Sequence, residues 1–461
     1  MKKNHILFLM LFLGIHFIAF SQSFTLVAEI KNQPANPVIF GEQKGDKFTP
    51  IDSAKTVNNT VKFSFPENAH PGVYRLIFGQ TLYARMMNEP PQQLDVIFNN
   101  ENIILETDFN APENKLLVIL SEENRVWLEF KRREILFREE LNTVEKEVDF
   151  YRQTKNTEKL LQTIESYNRL QNRRNEFITE ITGKNPGLLA SEMILLFREP
   201  FLDGNLSAQE RKHIFQTEYL KNKNFSNENL IYSQVYTDMV FSYLVSFNQK
   251  EFTPEQRETE YQKAVDLILT ATNKNQTVYE FILGYLVHGF EVLQMNRLIE
   301  YIADNYAETT CQTDEKTTLE RKLLSQKMKP GTVVPDFTMN DINGDPVTLS
   351  GVLKEKTLLL FWASWCPHCN EMISFLKNRG IQKVTMEVIT ISLDTGETEW
   401  KDAVRKHNIE SWFNLCDFQE WDGEAAIEYN IYATPTIFII DKNRRILATP
   451  VTINDLVQLN L

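Results

Sequence analysis

Four cysteines stand in this chain, and two of them, Cys366 and Cys369, are spaced Cys-x-x-Cys. Such a pair can exchange disulfides or supply half of a zinc site. It follows an apolar run, Leu358 to Trp362, and opens a helix. That order puts Cys366 at a helix N-terminus, where unpaired N–H groups and the macrodipole favour an anion. A thiolate is the nucleophile of disulfide exchange, and such a position lowers a cysteine pKa. No second ligand pair of zinc spacing follows, and Cys311 and Cys416 lie far apart. The reading is therefore redox, with no metal and no cofactor. His213, His288 and His407 stand isolated, without a metal role. Trp362 is packing beside the pair, and Trp365 is assigned to the substrate face.

The elements that must position this pair form an α/β module over residues 327–461. Val334–Met339 and Pro346–Leu349 flank Asn343-Gly344, a hairpin signal. The strand before Cys366 is followed by the Cys-x-x-Cys helix, a strand at 384–392 and a helix at about 397–407. A short strand over 412–416, a short helix at 425–429, two strands at 436–440 and 445–448, and a last helix complete it. This alternation predicts a sheet with helices on both faces. Upstream, residues 22–118 carry short runs of strand character, punctuated by Asn36-Pro37, Asn58-Asn59, Pro71-Gly72 and Asn99-Asn100. They read as a β-sandwich. Residues 119–326 change to apolar positions at mixed i+3 and i+4 steps, an all-α domain. The fold class is multidomain α+β, with the α/β module at the C-terminus.

The chain has 461 residues, 42% of them hydrophobic and 24% charged, and a net charge of −13. Its length implies roughly three domains. The acidic balance leaves no basic stripe for nucleic acid. Residues 1–21 combine Lys2-Lys3, an apolar run from Ile6 to Phe20 and small residues at Ala19 and Ser21. This is the pattern of a signal peptide. The protein is expected to be exported, to a periplasm or beyond, with an uncleaved anchor as the alternative.

Trp365-Cys366-Pro367-His368-Cys369, followed about seventy residues later by Ala433-Thr434-Pro435-Thr436, resembles the thioredoxin fold. With Val334-Pro335-Asp336-Phe337 and the long section between Leu393 and Tyr432, residues 330–461 resemble its exported TlpA/ResA branch. The order of the three regions is similar to multidomain thioredoxin-like proteins of Bacteroidetes. The resemblance implies that Cys366 attacks and Cys369 resolves the mixed disulfide. It also implies that Pro435 is a cis-proline against the pair, and that Thr434 offers backbone groups to an extended substrate segment. Pro367 and His368 match the intervening pair of DsbA, a strong oxidant, and would tune the Cys366 pKa. TlpA-like modules more often act as reductants.

Two departures from the family pattern, and one contrast with peroxiredoxins, bear on the chemistry. Leu360 stands where thioredoxins carry a buried acid. Met372 stands where ResA-type modules carry a Glu, and Glu371 is one residue early, so it reads as a solvated helix residue rather than a proton acceptor. Leu359 and Ala363 replace the Pro and the Thr or Ser of peroxiredoxins, which argues against peroxide chemistry. The expected function is exchange on protein thiols and disulfides, leaning to reductase or isomerase, served by an unidentified electron donor or acceptor protein. A DsbA-like oxidant and a scaffold with an accessory redox module are the alternatives. A homodimer and a Cys311–Cys416 pairing are left open.

Overall fold

The computed structural model describes residues 24–306, 318–379 and 386–459. The expected signal peptide and Cys311 lie outside them. The chain divides into two compact units between Ser246 and Phe247, inside the helical stretch expected at 119–326.

Among the described residues of the first unit, eight strands form two four-stranded sheets. One has the order β4-β1-β7-β8, built from β1 (Thr25–Lys31), β4 (Thr60–Ser64), β7 (Ile103–Asp108) and β8 (Leu117–Leu120). The other has the order β3-β2-β5-β6, from β2 (Val38–Lys44), β3 (Lys47–Ala54), β5 (Gly72–Gly79) and β6 (Gln92–Phe98). Alternate residues of β1 (Leu26, Ala28 and Ile30) are fully buried, and with Phe40, Phe63 and Phe98 they belong to one core drawn from both sheets. Period-two burial of this kind is what a half-covered strand requires. The strands β3 and β8 are edge strands with mostly exposed residues, so they carry no alternation to read.

Two long helices follow, Glu122–Gln153 and Thr157–Lys184. Ser121 caps the first by accepting the Asn124 N–H at 3.0 Å. Asn124 then pairs with β6, accepting from Ile97 N at 2.8 Å and donating to Ile97 O at 2.7 Å. A buried ion pair joins the two helices: Arg174 donates to both oxygens of Glu134, at 2.7 and 2.8 Å. Ser233 divides the next stretch into a 3₁₀ turn, Glu228–Tyr232, and a helix, Val235–Ser246.

The second unit opens with helices Pro254–Thr272, Gln276–Val292, Asn296–Tyr306 and Thr318–Ser325. A hairpin of β9 (Thr338–Asn340) and β10 (Pro346–Thr348) turns at Gly344, whose φ of +90° suits glycine. A five-stranded sheet follows. Its strands are β11 (Lys356–Trp362), β12 (Met386–Ser392), β13 (Phe413–Cys416), β14 (Thr436–Ile440) and β15 (Ile446–Ala448), in the order β13-β12-β11-β14-β15. The strand β11 is central, parallel to β12 and antiparallel to β14. Leu358 to Trp362 are all buried, which explains an unbroken apolar run rather than an alternating one.

Candidate redox site

The central strand ends at Trp362, and the chain turns through Ala363, Ser364 and Trp365 into the Pro367–Asn378 helix. Cys366 is the N-cap, the position the spacing predicts. Pro367 at the first helical position has no N–H to orphan and its ring pre-sets φ. Cys366 and Cys369 are joined as a disulfide with a Cα–Cα distance of 5.3 Å. The Cys369 N–H donates to the Cys366 sulfur at 3.2 Å. This bond and the helix dipole both favour negative charge on Cys366 when the disulfide opens. Of the two sulfur residues Cys366 is the more accessible, 5% exposed against 0% for Cys369.

The loop before β14 closes the site from the other side. The Thr434–Pro435 bond is cis. The Cys366 sulfur lies 3.5 Å from the Thr434 carbonyl oxygen. The fold thus brings Thr434 and Pro435 to Cys366 from far along the chain. Trp365 is 53% exposed and its ring centroid lies 6.5 Å from that of Trp421. The Trp421 carbonyl and the Asp422 carboxylate accept from Arg321 of the Thr318–Ser325 helix, so an element upstream of the sheet braces this aromatic edge. Pro367 and His368 are exposed on the first turn of the helix.

The acid position of thioredoxins, Leu360, is in the core at 0% exposure, and Met372 is buried where a Glu was sought. Glu371 is exposed, on the outer side of the helix. Leu359 and Ala363 are likewise buried apolar residues. A different carboxylate reaches the turn. Asp394, 3% exposed and just past the end of β12, accepts from Ser364 N at 3.0 Å and from Ser364 Oγ at 2.5 Å. Ser392 Oγ donates to the same carboxylate at 2.5 Å. Sequence reasoning missed Asp394, Ser364 and Trp421. The one available signal for Asp394 was an acid just past a largely buried strand, and only the parallel pairing of β11 with β12 sets it beside the turn.

Cys416 is free, 3% exposed, and paired in register with Ser392. Its thiol donates to the Asp394 carbonyl at 3.4 Å, and burial pushes its pKa up to about 12. His407 Nε2 donates to Oδ1 of Asn370, the residue after Cys369, at 2.9 Å, and burial holds its pKa below the usual value.

The matches to known proteins fall on the C-terminal part of the chain. Residues 330–449 match the AhpC/TSA family. The thiol–disulfide oxidoreductase ResA of Bacillus thuringiensis subsp. konkukian is 25% identical over 129 residues, which cover 26% of this chain and 69% of that protein. A thioredoxin-like protein of Haemophilus influenzae is 29% identical over 126 residues, 25% of this chain and 70% of its own length. Among solved structures, a thiol–disulfide oxidoreductase from Bacteroides fragilis is 29% identical, covers 28% of this chain and 97% of that one, and superposes with a TM-score of 0.27. Residues 330–449 of this chain are a thioredoxin-like domain of the AhpC/TSA family, similar in sequence to the thiol–disulfide oxidoreductases.

Proposed function

We propose that the Cys366/Cys369 pair exchanges disulfides with protein substrates in an exported protein, running as a reductase or isomerase. The observation that carries this reading is the Cys366 sulfur at a helix N-terminus, accepting the Cys369 N–H at 3.2 Å and facing the Thr434 carbonyl at 3.5 Å. In the reducing direction the Cys366 thiolate attacks one sulfur of a substrate disulfide. That S–S bond breaks, and the departing substrate sulfur takes a proton. The Cys369 thiol then loses its proton and attacks the Cys366 sulfur, releasing the second substrate thiol. Two electrons have passed to the substrate, and the pair is left as a disulfide. A donor protein bearing a dithiol restores it.

Thr434 is assigned to the substrate backbone, Trp365 and Trp421 to a side chain beside the substrate cysteine, and Pro367 with His368 to tuning Cys366. The first unit, read as a β-sandwich with helices, and the helices before residue 327 are assigned to partner choice or dimer formation. Insulin reduction by the full chain and by Cys366→Ser tests the central claim. The wild type is expected to precipitate insulin B chain with a dithiol present, and the variant to match the uncatalysed rate. Equal rates for the two proteins would refute the assignment. Cys369→Ala should accumulate mixed disulfides with its substrates, whereas a scaffold would retain partners without a covalent link.

A further inference from the structure

We propose that Asp394 is a positioning residue of the redox site, holding the turn that delivers Cys366 and biasing the pair toward the disulfide through its charge. The inference rests on the exchange reading above. Three donor bonds converge on this one buried carboxylate: Ser364 N at 3.0 Å, Ser364 Oγ at 2.5 Å and Ser392 Oγ at 2.5 Å. Ser364 is the middle of the turn, whose far end is closed by the Cys366 N–H donating to Ala363 O at 3.1 Å. The turn is thereby fixed on both sides, by its own backbone bond and by a side chain from the neighbouring strand end. Asp394 is itself held. Its N–H donates to Ser392 Oγ at 3.2 Å, its carbonyl accepts from the Cys416 thiol at 3.4 Å, and the next residue back, Leu393, donates to Trp362 O at 2.8 Å. Such a support shell is what fixes the angle at which a nucleophile is presented.

The carboxylate has a second effect. Two residues span at most about 7 Å between Cα atoms, so the charge bound to Ser364 lies on the order of 10 Å from the Cys366 sulfur. At an effective dielectric of about 20, a like charge at that distance disfavours a thiolate on the order of tenfold. Asp394 therefore opposes the helix N-terminus, which favours the thiolate. Neither Leu360 nor Glu371 supplies a carboxylate to this turn. Asp394 does so from a part of the sheet that no spacing rule connects to the cysteines.

The test is the glutathione equilibrium of the full chain. The pair disulfide and two glutathione thiols give the pair dithiol and one glutathione disulfide, with two electrons passing to the pair and two protons with them. Asp394→Asn keeps an oxygen for the Ser364 N–H and removes the charge. It is expected to move the equilibrium about tenfold toward the dithiol, equivalent to about 30 mV. Ser364→Ala keeps the charge and removes one donor that compensates it, so it is expected to move the equilibrium toward the disulfide. Opposite signs are the signature, because a purely structural role would move both variants in the same direction. An Asp394→Asn value within twofold of wild type, or shifts of the same sign, would overturn the proposal. If Asp394→Asn does not fold by circular dichroism, Ser364→Ala decides alone: a shift toward the disulfide supports the proposal, and no shift or the reverse overturns it. A wild-type pair that does not exchange with glutathione at all refutes the exchange reading instead.

Discussion

Once the disulfide is reduced, the thiols of the second unit should separate sharply by reactivity. Cys416 is 3% exposed, and burial pushes its thiol from an ordinary 9.0 up to about 12. At pH 8 its thiolate fraction is then about one in ten thousand, against about one in ten for the ordinary thiol, a difference of roughly a thousandfold in the reactive species. Cys366 is different, because the Cys369 N–H and the helix N-terminus both favour its thiolate. The experiment is to reduce the full chain, remove the reductant and add iodoacetamide at pH 8. The modified peptides are then followed by mass spectrometry, with Cys311 read from its own peptide. Cys366 should be alkylated first. Cys416 should react at least about a hundredfold more slowly than in guanidinium, the remaining rate coming from transient opening. Native and denatured rates for Cys416 within tenfold of each other would refute the reasoning, since the burial that raises its pKa would then be absent in solution. The same shift has a consequence for stability. The unfolded thiol releases its proton near 9 and the folded one holds it to about 12, so this contribution is present below about 9 and lost as pH rises toward 12.

Two further expectations concern other sites. Asp108 accepts from Lys115 at 2.8 Å, from Asn110 N at 3.0 Å and from Asn32 at 3.0 Å, which holds its carboxyl well below the usual range. Its contribution is present above the ordinary carboxylate pKa and lost as the pH falls below it, so Asp108→Asn should flatten the acid limb of an unfolding curve, and an unchanged limb would count against the pairing. Trp365→Ala removes a side chain that is 53% exposed, so the unfolding free energy measured in urea should change by no more than about 0.5 kcal/mol while insulin reduction slows. A large loss of stability with unchanged activity would assign Trp365 to packing instead.

Much of the redox domain was legible because its strongest signals are local. Leu358 to Trp362 form an unbroken apolar run because the central strand is covered on both faces, and Asn343-Gly344 marks a hairpin because only certain residues accept positive φ. The edge strands β3 and β8 were illegible for the opposite reason. Their residues are mostly exposed, so nothing in their pattern records a buried face. The helix boundary at Ser233 is not legible either, because the flanking residues, Leu230, Ile231, Val235 and Tyr236, are all buried and keep an apolar pattern across the break.

By itself the sequence determined the Cys-x-x-Cys pair, its place at a helix start and the absence of an acid at residues 360 and 372. These follow from residue identity and short-range spacing. Which carboxylate meets the turn was decided only by tertiary structure. Asp394 reaches Ser364 because β12 lies parallel to β11 in a register that ends both strands at the same level, Trp362 opposite Ser392. The 3.5 Å approach of Thr434 to Cys366, the bracing of Trp421 by Arg321 and the burial that silences Cys416 are of the same kind. Each depends on packing between segments far apart in the chain, and no local pattern of residues encodes it.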